Sequence, residues 1–531
     1  MKRIITSLFL LSLSYAYAQN YDRVELLKNI SPGGPSNTLQ PTVFNGKFYF
    51  SANNGTIGDQ LWASDGTTAG TLLVKQVNPA GDASITNLTA VNDKLVFSAY
   101  DEANGIELWV TDGTTEGTVL LKDINPGTAG SVPLFFERVG NKVYFQADNG
   151  TDGVELWATD GTEAGTVLVL NIHPTDSSYP YDFTEYNGKA YFQADNGTNG
   201  YELWSSDGTA AGTVMVKDVF AAGDSSPRSF KVFNGLLYFR ADDERGDEIW
   251  VTDGTTDGTV FFVEINAAEG DGSSVNEFTE VNGKLLFRAR NAETGFELWA
   301  TDGTAVGTAL VKDILPGTEG SFPGSLTAYN GKVYFQAADA SNDVELWSSD
   351  GTEAGTQRVK NIRANNSSAP NDFFVYNNSL YFVAEEGTNG RELWVTDGTE
   401  AGTVKPITGA LGSDPLYYTP FFTILNDQLF FKATYNGVDQ ELFKLTSSTA
   451  GLYNIAIKAA VVYPNPASGL VNVQLQGSLV KEVTVFTLTG KKVLESNGQA
   501  TINVSRLSNG LYLVKSTTDK NEVFYNKIVK E

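Results

Sequence analysis

The sequence predicts an all-β chain in two parts, a tandem array of four-stranded units followed by a small β-sandwich. Three observations predict it. Eight tryptophans, Trp62, Trp109, Trp157, Trp204, Trp250, Trp299, Trp347 and Trp394, recur every 46 to 49 residues in a chain of 531. Each sits in a Leu-Trp or Ile-Trp pair, and each is followed three residues later by Asp-Gly-Thr. The stretches between them are short β-branched and aromatic runs punctuated by Gly, Asn and Asp turns, which disfavours helical solenoids. Four strands in a period of roughly 47 residues is the content of one propeller blade. The array is therefore expected to be a repeat β-propeller of about nine blades.

Taken in order, the chain opens with Lys2 and Arg3, an apolar run from Ile4 to Leu13, and Ala16-Tyr17-Ala18 before Gln19. This reads as a secretory signal peptide over residues 1–18, too short for a membrane span. A lipoprotein signal would need a cysteine at the cleavage point, and the chain has none. No later stretch is apolar enough to cross a bilayer.

The repeat runs from about Val24 to Leu445. One unit reads as a strand from Val260 to Ile265, a polar loop, a second strand from Phe278 to Val281, a third from Lys284 to Ala289 and a fourth from Phe296 to Ala300. Asn282-Gly283 predicts a two-residue hairpin turn with positive φ at both residues. That hairpin makes neighbouring strands antiparallel and disfavours a parallel β-helix. Eight fourth strands carry tryptophan; a ninth, Glu441-Leu442-Phe443, carries phenylalanine 49 residues after Trp394. Two segments compete to supply a closing strand, Val24 to Ile30 and the worn copy Thr449 to Ile455. A ring of eight with a stray unit and an open superhelical array stand as alternatives.

The repeated residues have structural work to do. Asp of Asp-Gly-Thr can bond its own backbone two residues on, Gly supplies a positive φ, and the later Gly and Thr (Gly117 and Thr118 in one copy) launch the next strand. Tryptophan buries a large area and can satisfy its N–H at a blade edge. Glu107, Glu155, Glu202, Glu248, Glu297, Glu345, Glu392 and Glu441 precede the Leu-Trp pair or its replacement. On an alternating strand they are expected to face outward. The functional alternative is a ring of equivalent sites, aromatic platforms for sugar or Asp-Gly loops for calcium.

Composition limits the chemistry. A net charge of −26 and a pI near 4.4 argue against nucleic acid as a partner. With no cysteine and one histidine, His173, disulfides and thiolate sites are excluded, and zinc sites and His-based catalysis are disfavoured. His173 falls where Asn125 or Leu315 stands in other repeats and reads as a surface substitution. No catalytic, cofactor-binding or metal-ligating residue is assigned, and the ligand-binding residues stay unknown. The even spacing leaves no large insertion for catalytic groups, although paired carboxylates for glycoside cleavage remain an alternative. Variable loops such as Asn125 to Ser131 and Arg363 to Ala369 are where a rigid ring would carry a binding surface.

After Ile457 the period stops. Strands are expected at Leu470 to Leu475, Glu482 to Leu488, Lys492 to Glu495, Thr501 to Val504, Gly510 to Ser516 and Val523 to Lys530, the layout of a small antiparallel sandwich. The elements Tyr463-Pro464-Asn465-Pro466, Val485 to Val493, Leu507 to Lys515 and Lys527 to Lys530 together resemble the type A C-terminal sorting domain of the type IX secretion system of Bacteroidetes. That resemblance implies passage through the outer membrane by this machinery, then removal of the domain with surface attachment or release. The central array resembles the repeat family named for Glu-Leu-Trp-x-x-Asp-Gly-Thr, departing at Gln60, Ile249 and the ninth copy. This second resemblance implies architecture and no activity.

The expectation is a signal peptide at 1–18, a propeller over 19–457 and a sorting domain over 458–531. The expected function is non-enzymatic binding or adhesion outside the cell. Type IX machinery is the expected partner, with a glycan or a surface protein as ligand and no cofactor. A polysaccharide-active enzyme and a calcium-stabilised structural protein are the alternatives.

Overall fold

The computed structural model describes residues 23–267, 272–407, 414–416, 421–435, 439–446, 460–463, 465–475, 480–487, 491–518 and 523–531. The expected signal peptide and the worn copy Thr449 to Ile455 lie outside the described residues. The chain divides into two compact units, Met1–Ser448 and Thr449–Glu531. Both are all-β, and among the described residues neither contains a helix.

The first unit is built from antiparallel sheets that follow the sequence repeat. The third sheet is typical: Leu134–Val139, Lys142–Asp148, Val154–Thr159 and Val167–Leu170 pair in that order. The Asn-Gly turns adopt the expected conformation, with φ of 50° at Asn282 and 72° at Gly283. Phasing differs from the expectation. The strand after seven of the eight Asp-Gly-Thr motifs, such as Val260–Val263, pairs with the tryptophan strand before it and so ends its sheet; after the eighth, among the described residues, the single bridge Val395–Val404 stands in its place. The Asp-Gly-Thr loop is thus a hairpin inside a sheet, and the long polar loop joins one sheet to the next.

Packing between sheets explains the apolar runs. The second and third strands of each sheet are covered on both faces, so Val143, Tyr144 and Phe145 are all buried in succession. One hydrophobic cluster spans each seam. Leu108, Val110 and Leu121 of the second sheet pack with Phe145, Ala147 and Trp157 of the third. Each tryptophan is the largest group its sheet presses onto the preceding one, and burial of such a ring contributes about 2–3 kcal/mol. The expected hydrogen bond is missing: among the described residues all eight indole N–H groups are buried without a partner. Tryptophan holds the seams through its apolar area.

The ninth sheet answers the question of the competing strands. It consists of Phe422–Leu425, Gln428–Ala433, Glu441–Thr446 and, as its last strand, the N-terminal Arg23–Lys28. Val24 lies opposite Leu445, and Leu26 opposite Phe443. A further cluster joins this sheet to the first, with Leu27, Phe430 and Leu442 against Phe48, Phe50 and Trp62. The Phe48 and Phe430 rings stand 5.1 Å apart.

In the second unit, Ala460–Tyr463, Leu470–Leu475 and Thr501–Asn503 form one sheet. Lys492–Asn497, Val480–Thr487, Gly510–Thr518 and Val523–Lys530 form the other. Val471 and Val473 from the first meet Val483, Val485, Val514 and Ile528 from the second in one core. The strand Ala460–Tyr463 is an addition to the sequence expectation.

Candidate binding face

The repeated glutamates do not face outward. Glu107 is fully buried and accepts three hydrogen bonds, from the Ile124 N–H at 3.0 Å, the Asn125 N–H at 2.9 Å and the Ser131 hydroxyl at 2.6 Å. The same serine-to-glutamate bond, at 2.6–2.7 Å, recurs at Glu155, Glu202, Glu248, Glu297 and Glu345. Whereas Glu392 pairs with Lys405 at 3.1 Å, each of these six carboxylates therefore clamps both ends of the polar loop that leads to the next sheet. Gln60 does this with an amide, accepting from the N–H groups of Val77 and Asn78 and donating to three carbonyls. In the ninth sheet Glu441 accepts the Ser31 N–H at 2.8 Å, clamping the loop after the N-terminal strand. Alternation misled the outward reading because a strand buried on both faces has no outward side.

Burial raises the carboxyl of Glu107 above its ordinary range, and its hydrogen bonds offset part of the rise. Glu202 is pushed up to about 7, again by burial first. These are groups held in place by the loops they clamp, with their oxygens already spent on backbone and serine donors.

The Asp-Gly-Thr loops are similarly self-contained. Asp112 Oδ1 accepts from the Thr114 N–H at 2.8 Å and its hydroxyl at 2.7 Å; Thr114 Oγ1 in turn accepts the Gly117 N–H at 2.9 Å. A side chain on Gly117 would strike the Asp112 carboxylate, and one on Gly113 would meet the Tyr49 hydroxyl of the preceding sheet at 2.3 Å. The Thr114 hydroxyl is the first cause holding the Asp112 carboxyl below its ordinary range. Among the described residues no group of three or more His, Asp or Glu is arranged to hold a metal ion.

His173 takes the place of Asn125 in this scheme. Its N–H donates to Glu155 Oε1 at 3.3 Å, and its ring packs on Gly197 as Asn125 packs on Gly150.

What varies among the repeats is the residue after each clamp serine. Val132, Tyr179 and Phe322 all sit there with φ of 45–51°, a left-handed conformation that β-branched and bulky residues seldom adopt. The conformation recurs with Asn37, Ser84, Ser226, Ser274 and Ala369, so the path of the clamped loop imposes it, whatever the side chain. The side chains are left outside: Val132 is 43%, Tyr179 47% and Phe322 51% exposed. Phe135 and Tyr181, at the starts of the third and fourth sheets, join them, with ring centroids 4.6 Å apart, edge to face. Aromatic side chains thus gather at two places, the exposed Phe135, Tyr179 and Tyr181 at the third and fourth repeats, and the exposed Phe322 against the half-buried Phe296 at 4.9 Å. Sequence reading singled out the loops and missed these residues. A recurring serine 23–25 positions after six of the eight glutamates is the signal that could have located them.

Comparison with known proteins bears first on the second unit. Residues 461–531 match the family model described as the secretion system C-terminal sorting domain. The C-terminal unit is a type IX sorting domain. The sorting domain supports secretion of the chain through type IX machinery, to the cell surface or beyond. Among the described residues no helix is long and apolar enough to cross a membrane. No curated protein matches the chain. Among solved structures, puromycin hydrolase aligns at a TM-score of 0.34 and 13% identity over 84% of this chain and 58% of that one. One of two prolyl endopeptidases aligns at 0.35 and 11%, over 70% and 56%. The chain spans less than two thirds of the length of either. The extracellular domain of the one component system BT4673 from B. thetaiotaomicron aligns at 0.32 and 11%, over 96% and 74%. Likeness at this level carries no argument about activity.

Proposed function

We propose that the first unit is a closed nine-bladed β-propeller that works outside the cell as a non-enzymatic binding module, delivered there by its sorting domain. Closure is supported by the N-terminal strand completing the ninth sheet and by the apolar seam between Phe430 and Phe48. One observation carries the binding reading. On the face where the polar loops join the sheets, the repeated carboxylates are spent on clamps, and the variable positions that follow expose aromatic side chains. Exposed aromatic groups on a soluble acidic chain mark a contact surface, and flat rings flanked by amides and hydroxyls suit the faces and edges of sugar rings. Polysaccharide outside the cell is therefore the ligand class this face fits best.

The test is to titrate the mature chain, residues 19–531, against a panel of neutral and acidic polysaccharides while following the release of reducing ends. Saturable binding without cleavage is expected. Reducing ends appearing at an enzymatic rate would overturn the reading in favour of a glycosidase or lyase.

A further inference from the structure

One place on this face departs from the repeat in charge as well as in shape. A cavity of about 340 Å³ opens beside the sixth sheet, lined among others by Asn266, Arg290, Asn291, Phe296, Glu319 and Phe322. Phe296 and Phe322 form its aromatic wall, inclined at 36° to each other. The guanidinium carbons of Arg288 and Arg290 stand 5.6 and 5.9 Å from the Phe296 ring centroid. This volume is within the range of small-ligand pockets and admits about one sugar ring.

The arginines are the departure. Strand register aligns Arg290 with Asp148, Asp195, Asp242 and Glu385 of four other repeats. Arginine stands at that position in this repeat alone. Arg288 occupies the place of Gln146, Gln193 and Gln336, and its Nε is buried without a hydrogen-bond partner. Arg228 and Arg240 lie in the fifth repeat, where Arg240 pairs with Asp247 at 3.0 Å. Five arginines thus lie within two repeats of a chain whose net charge is −26, two of them, Arg240 and Arg245, paired with Asp247 and Asp243. A guanidinium presents a planar fork that pairs two-pronged with carboxylate or sulfate oxygens.

We propose that the cavity at the sixth repeat binds a negatively charged sugar unit of an extracellular polysaccharide. The Phe296–Phe322 wall stacks on the apolar face of the ring, and Arg290, whose Nε donates to the Gly272 carbonyl at 3.3 Å, turns its guanidinium charge to the ligand's carboxylate or sulfate. This inference rests on the polysaccharide-binding reading above and adds the location and the charge.

The experiment uses the mature chain with polygalacturonate, dextran sulfate and neutral dextran, together with the neutral polysaccharides of the wider panel. Two variants accompany it, each replacing a residue with one that other repeats carry at the same place: Arg290→Asp and Phe322→Ser. Binding to at least one anionic polymer is expected, weakened tenfold or more by each variant, with thermal midpoints preserved. Retention on polygalacturonate alone assigns a carboxylated sugar, and on dextran sulfate alone a sulfated one. Neutral polymers bound as tightly, or anionic binding that both variants leave unchanged, would overturn the cavity assignment while the binding module stands. Absence of binding to every polysaccharide would overturn both.

Discussion

The Ser131 hydroxyl donates to Glu107 Oε2 across 2.6 Å, with both residues buried and 24 positions apart in sequence. This bond, repeated through the array, ties the loop that carries the exposed aromatic residues to the strand that carries the tryptophan. It links the stability of the scaffold to the shape of the proposed binding face.

Removing one clamp should therefore cost more than its single bond. Glu107→Ala leaves the N–H groups of Ile124 and Asn125 buried without an acceptor, which destabilises by roughly 2–4 kcal/mol. Glu107→Gln should be far milder, because Gln60 already does this work with an amide. Urea unfolding of the two variants beside the parent chain checks the difference.

The raised carboxyls also set a pH dependence. Glu202 titrates from 4.5 unfolded to about 7 folded, so the folded state holds the extra proton between those values. Its contribution is fully present below 4.5 and is lost as pH rises through about 7. The Asp-Gly-Thr aspartates act with opposite sign in a lower window: Asp112 is depressed, so its contribution is present above its ordinary value of 3.8 and lost as pH falls below it. A Glu202→Gln variant should lose less stability than the parent chain between pH 5 and 8. Thermal midpoints measured across that range test this, and parallel curves would contradict it.

Calcium should not matter to the fold. Each loop aspartate already has Oδ1 shared between two donors of the threonine two residues on, as Asp112 has with Thr114. The thermal midpoint of the mature chain is expected to be the same with calcium and with a chelator. A fall of several degrees on chelation would revive the metal-stabilised alternative.

Export should depend on the second unit. A chain ending before residue 461 is expected to accumulate in the periplasm of a type IX-competent host, where the full chain reaches the surface or medium. Fractionation followed by immunoblotting reads the outcome.

Much of this architecture was legible in the sequence. The tryptophan period located the sheets, and the Asn-Gly turns located their hairpins, because φ > 0 at two successive residues has few chemical solutions. The strands of the sorting domain lay within a few residues of those expected. The phase of the repeat was not legible: Val260–Val263 is equally good as the start of one sheet or the end of another, and only pairing with the Trp250 strand decides. The inward turn of Glu107 was hidden for a related reason. In a strand covered on both faces, alternation no longer separates core from solvent, and a charged residue inside is betrayed only by its distant partner, Ser131. The exposed Tyr179 and Phe322 look like core residues by type, and their left-handed φ is invisible to composition.

Closure of the ring is the central claim, and the chain's lack of cysteine makes it directly measurable. Val24 and Leu445 lie opposite each other in the pairing of the N-terminal strand with the ninth sheet, at a separation a disulfide can span. The double variant Val24→Cys, Leu445→Cys should form one intramolecular disulfide under mild oxidation. It should then migrate faster than its reduced form on a denaturing gel and melt at a higher temperature. Free thiols after oxidation, or disulfides only between chains, would contradict a closed nine-bladed ring.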